Sequence, residues 1–167
     1  MAYLHRPIIQ YYLDEVTPTA LEDAVDQLWI NILRYFFNNL DHFGIEAQSK
    51  PDPNLGYKCN IVVTNLRNHM LAKFLFVENK RSELENNQTS WDEARDQLED
   101  YVLGSRRVQG NIQTLYGIVG IGQSARFYVL PRDGIVLIPF GPVERLHTRF
   151  NAGIINTTLQ YLVTTYR

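Results

Sequence analysis

Apolar residues recur along this chain in two periods, and the alternation between them lays out the elements. From Thr19 to Asn39 the spacing is helical: Leu21, Val25, Leu28, Ile32 and Phe36, flanked by Ala24, Trp29, Leu33 and Phe37, make a broad stripe. Gly44 ends that helix, and Ile45–Gln48 starts an edge strand. Lys50–Gly56, with Pro51, Pro53, Asn54 and Gly56, is a loop. The runs Tyr57–Thr64 and Ala72–Lys80 then predict two strands, joined around Asn65–His69 as an antiparallel hairpin. Glu83–Thr89 is polar and is expected to be mobile. Ser90-Trp91-Asp92-Glu93 has the form of a capping box, and Ala94, Leu98, Tyr101 and Val102 continue it as a helix with one buried face. After a loop through Gln109–Asn111, the β-branched run Gln113–Gly122 predicts a core strand. Ala125–Leu130 and Ile135–Phe140 form a hairpin across Pro131-Arg132-Asp133-Gly134. A closing helix begins at Asn151 with Ile154, Ile155, Leu159, Leu162 and Val163 on one face. This order predicts an α/β protein, layered around a mixed central β-sheet flanked by helices.

Composition narrows the class without changing it. At 167 residues, 45% hydrophobic and 20% charged, the chain suits one globular domain, with its core over roughly residues 19–165. No apolar run is long enough to cross a membrane, and Met1–Tyr12 does not have the form of a signal peptide. Cys59, the single cysteine, has no disulfide partner, so an intracellular setting, cytoplasmic or nuclear, is expected. His5, His42, His69 and His147 lack ligand spacing, which argues against structural zinc. A net charge of −2 confines any nucleic-acid groove to a local surface. Lys80, Arg81, Arg106, Arg107 and Arg126 are the candidates to line one. Arg106 and Arg107 have a plainer explanation as cations at a helix C-terminus.

The apolar run Leu71–Val77 stops abruptly at Glu78-Asn79-Lys80. Glu78 and Lys80 share one face of the strand, roughly 6.5–7 Å apart. A carboxylate and an ammonium at the lip of an apolar strand are costly unless they pair, bind a metal or act on a substrate. The helix that follows carries Gln97 and Tyr101 one turn apart. A strand ending in Glu-x-Lys, a polar loop and a helix bearing Gln-x-x-x-Tyr resemble the PD-(D/E)xK, restriction endonuclease-like nuclease superfamily. The likeness is to its RecB-like branch and to stand-alone fungal members, and it extends through Tyr116–Val119 and Arg126–Leu130.

That resemblance implies a restriction endonuclease-like core and a phosphodiesterase acting on DNA or RNA, with magnesium or manganese as cofactor. Glu78 would ligate the metal and Lys80 would position the attacking water. Gln97 would hold a metal-bound water or a phosphate, and Tyr101 would contact a base or pack beneath the site. The motif's aspartate has two candidates. Asp52 completes the literal Pro-Asp but lies in the loop. A hairpin turn near Asn68 sets residue 60 opposite 76 and residue 58 opposite 78, which places Asn60 close to Glu78 and favours it. Asn60 supplies a neutral oxygen and no charge, so the metal is expected to bind weakly and activity to be weakened or lost. Glu22, or Asp26 one turn on, is a further acid for the metal, although Thr19-Ala20-Leu21-Glu22 also spells a capping box. Two functions stay open: a metal-dependent nuclease, and a non-catalytic module of that fold binding nucleic acid or a protein partner, a second copy included.

Overall fold

The structure, a computed structural model, describes residues 3–38, 42–50, 52–54, 56–142 and 144–167. Asn39 and Pro51, named above in the first helix and the loop, lie outside them. In chain order the elements are helices α1 (Pro7–Glu15) and α2 (Glu22–Phe36), then strands β1 (Phe43–Ser49), β2 (Cys59–Arg67) and β3 (Met70–Lys80). Helix α3 (Gln88–Gln109) follows, then β4 (Leu115–Ile121), β5 (Ser124–Leu130), β6 (Ile138–Pro139), β7 (Leu146–His147) and helix α4 (Ala152–Tyr166).

The strands form one seven-stranded mixed sheet in the order β1-β2-β3-β4-β5-β6, with β7 pairing β5. Only β3 and β4 run parallel, and α3 is the crossover between them. β4 is buried along its whole length and β2 from Cys59 to Asn65, hence their near-continuous apolar runs. Two glycines of β4 show how closely the helices approach. A Cβ on Gly117 would stand 2.6 Å from Leu98 of α3, and one on Gly120 would stand 2.6 Å from Trp29 of α2. Residues three apart on a strand face opposite ways, so α3 covers one face of the sheet and α2 the other. α4 lies with α2, and its Tyr166 ring stacks on Phe74 with centroids 4.2 Å apart. Among the described residues no helix is long and apolar enough to cross a membrane.

Several elements differ from the sequence reading. The pattern missed α1, which starts with Pro at its first turn and buries Ile9 and Leu13. α2 begins at Glu22 rather than Thr19, because Ala20 closes a turn onto Thr17 and gives its carbonyl to Ser82 N–H at 3.0 Å. Its N-cap is Leu21, with no side-chain cap bond, so Glu22 has no capping role. α3 starts before Ser90, since Asn87 caps it by accepting Ser90 N–H at 3.3 Å. The polar stretch after β3 carries a 3-10 turn (Ser82–Leu84) and is tied to the sheet by Glu85, which accepts the Ser124 hydroxyl. In the β2–β3 hairpin the turn tightens to Asn68-His69, both at positive φ, and a bulge follows at Val63/Thr64. Val62, not residue 60, therefore faces Phe76. The register ends with Ile61 opposite Val77, and just beyond it the Asn60 side chain accepts Asn79 N–H.

Gly117→Val should overpack the α3–sheet contact and lower the unfolding free energy by about 1–3 kcal/mol, read from denaturant melts. A neutral result would mean that α3 does not lie this close to the sheet.

Candidate functional site

Polar groups converge where β3 ends. Glu78 is only 2% exposed and Asn79 is fully buried, an arrangement that demands partners. Lys80 Nζ donates to Glu78 Oε1 at 2.7 Å and to Gln97 Oε1 at 2.9 Å. Tyr101, one turn beyond Gln97, gives its single hydroxyl proton to Lys58 O at 2.8 Å. Its hydroxyl stands near enough to Glu78 to favour the ionised carboxylate, but the proton goes to Lys58 O, and Glu78 Oε2 is left buried without a hydrogen-bond partner. Glu78, Lys80, Gln97 and Tyr101 thus form one cluster between β3 and α3.

On the α2 side, Glu22 and Asp26 stand one turn apart and share a partner. Asn60 Nδ2 donates to Glu22 Oε1 at 2.8 Å and to Asp26 Oδ2 at 3.3 Å. Asn60 Oδ1 accepts Asn79 N–H at 3.0 Å, and Asn79 Nδ2 donates to Asp26 Oδ1 at 2.7 Å. A backbone N–H can only donate, so this contact fixes which end of the Asn60 amide is oxygen. Glu22, Asp26, Gln48 and Asn60 contribute to the lining of a pocket of about 540 Å³. Asp52 makes its contacts elsewhere: it accepts Asn54 N–H at 2.9 Å and pairs with Arg107 at 3.4 Å.

The sequence reading missed Asn79, the middle residue of Glu-x-Lys, which holds both Asp26 and Asn60. A fully polar residue inside an otherwise buried strand was the available signal. Its Oδ1 and Trp29 Nε1 both lack hydrogen-bond partners, and both crowd the place where a Gly120 Cβ would be. Of the proposed groove cations, Arg106 is spent on the carbonyls of Gln113, Pro131 and Arg132, and Arg107 on Asp52. Both lie in the last turn of α3, but their partners belong to other segments.

Burial pushes the Glu78 carboxyl up to about 7, against the pull of the Lys80 ammonium, and Glu22 adds to the rise. Burial likewise raises Asp26, which Glu22 reinforces and its bonds from Asn79 and Asn60 oppose.

The donor set bears directly on a divalent cation, which requires several oxygen atoms facing one point. Asn60 presents its NH₂ to the carboxylates and has its oxygen occupied, while Lys80 takes Glu78 Oε1. Glu78 Oε2 is buried without a donor, and among the described residues no group of three or more Asp, Glu, His or Cys side chains is placed to hold a metal. The arrangement as it stands does not suit magnesium or manganese. No family model matches the chain, and no curated protein or solved structure matches it.

The raised Glu78 gives a signed pH dependence. Between about 4.5 and 7 the folded chain holds a proton that the unfolded chain releases, so this contribution is full below 4.5 and fades as pH rises through 7. Thermal melts across this window should show wild type losing stability relative to Glu78→Gln as pH rises. Parallel curves for the two proteins would show that Glu78 is ionised throughout.

Proposed function

We propose that this chain is a PD-(D/E)xK-type, restriction endonuclease-like domain that binds DNA or RNA and in which metal-dependent phosphodiester hydrolysis is weakened or lost. Support for the fold comes from the β3–α3–β4 crossover, with Glu78 and Lys80 at the end of β3 and Gln97 of α3 hydrogen-bonded to Lys80. Asn60, which contacts Asn79 N–H and Glu22 just past the paired part of β2 and β3, is our candidate for the motif's aspartate position.

One observation carries the functional half: the Asn60 amide donates to Glu22 and Asp26, where a cation would otherwise draw such oxygens together. The same bonds that satisfy the carboxylates block them. The remaining groups still suit a phosphate. Lys80 offers a cation held in place by Glu78 and Gln97, ready to meet a non-bridging phosphate oxygen. Binding without cleavage is the expected behaviour.

Asn60→Asp changes one side-chain nitrogen to oxygen and removes the bridging donor. Titration calorimetry should show magnesium affinity rising by roughly tenfold or more over wild type, within the range one ligand contributes. Cleavage of generic DNA or RNA should climb from a low or undetectable baseline in that variant and vanish again when Lys80→Ala is added. Brisk magnesium-dependent cleavage by wild type, unchanged in Asn60→Asp, would refute the proposal in favour of an intact nuclease.

A further inference from the structure

On the other flank of α3, two guanidinium groups share one indole. The Arg126 guanidinium lies over the Trp91 ring at 4.8 Å and that of Arg145 at 5.8 Å. We propose that Arg126 and Arg145 form a seat for the phosphodiester backbone of a nucleic acid; this rests on the nucleic-acid reading above.

Three features of the pair point to an anionic ligand. Neither arginine belongs to an ion pair among the described residues. The carboxylates nearby are engaged by neutral donors: Glu85 accepts the Ser124 hydroxyl, and Asp92 accepts the Gln88 amide at 2.8 Å. Second, the two cations share one ring, and their hydrogen bonds go to neutral oxygens. Arg126 reaches Gln88 Oε1 at 3.2 Å, and Arg145 reaches the Glu85 carbonyl. Third, the support is rigid. Trp91 is 1% exposed and its indole N–H is bonded to Glu85 O at 2.8 Å. A guanidinium stacked on a fixed ring keeps its N–H edge free in a set direction, which suits the paired oxygens of a phosphate.

Position relative to the Glu78–Lys80 cluster favours a polymer. Glu78 is level with Val119, and Val119 with Arg126, on the same sheet face. Two strand spacings separate Glu78 from Arg126, or about 10 Å between backbones. Gln97 and Tyr101 lie on the β3 flank of α3 and Trp91 on the β5 flank. A strand of nucleic acid passing the start of α3 can therefore set one phosphate at Lys80 and another at the arginine pair. Contacts of this kind position a backbone and carry no base preference.

The test is fluorescence anisotropy with labelled single- and double-stranded oligonucleotides over a range of salt concentrations. Wild type, Arg126→Gln, Arg145→Gln and the double variant are compared, with melts to check folding. Each substitution should weaken binding by about tenfold and reduce the salt slope by about 0.7–0.9, the signature of one lost phosphate contact. Arg145 is exposed, so Arg145→Gln remains informative should Arg126→Gln fail to fold. Wild-type affinity and slope in Arg145→Gln would overturn the seat and leave the nucleic-acid reading standing. Absence of oligonucleotide binding by wild type would overturn both, and arginine-dependent binding of a polyglutamate peptide in that case would assign the pair to an acidic protein instead. Loss of the seat alone, read from Arg145→Gln, is thereby distinguished from failure of the nucleic-acid reading, read from wild type.

Discussion

Glu78 and Asn79 are adjacent polar residues buried at the end of a core strand, and successive strand residues face opposite ways. Each must find partners in a different layer. Glu78 is met through Lys80 and α3, and Asn79 through Asp26 of α2. Both helices are thereby fastened to the sheet at one point. A buried polar group left unmet costs about 1–3 kcal/mol, against about 5–15 kcal/mol for the stability of a whole domain. Glycine at 117 and 120 serves the same arrangement, because any side chain there would hold the helices away from β4.

The same geometry explains why the polar cluster has two unequal halves. Toward α2, Asn60 and Asn79 supply donors to Glu22 and Asp26, and a network results. Toward α3, Lys80 is shared between Glu78 and Gln97, and one Glu78 oxygen is left over. Burial raises the Glu78 carboxyl although Lys80 and Tyr101 oppose the rise, and one of its oxygens has no hydrogen-bond partner.

Much of this was legible from residue order. The broad stripe of α2, the hairpin of β2 and β3, the amphipathic α3 and the shared face of Glu78 and Lys80 follow from periodicity and strand alternation. Where the reading went astray, a longer-range contact had intervened. Thr19-Ala20-Leu21-Glu22 spells a capping box, but the Ala20 carbonyl is taken by Ser82, so the helix begins later and Glu22 turns to Asn60. The hairpin register shifted by two residues because a tighter turn and a bulge each contributed one. The orientation of the Asn60 amide had no local signal, since it is set by the backbone N–H of Asn79, nineteen positions away.

A metal-dependent site of carboxylates is self-repelling until its cation arrives, because like charges gathered at low dielectric raise one another's pKa. An amide in the middle removes that dependence. Asn60 adds no charge and gives both hydrogens to Glu22 and Asp26, so these acids stay together without an ion. The consequence reaches the surface. Glu22, Asp23 and Asp26 line the pocket beside Asn60, and their carboxylates would repel an approaching phosphate. On the reading proposed here, a nucleic acid must then find its attraction away from those acids, at Lys80 and along the far flank of α3. On that reading, loss of the metal and reliance on arginine contacts both follow from having an amide at position 60.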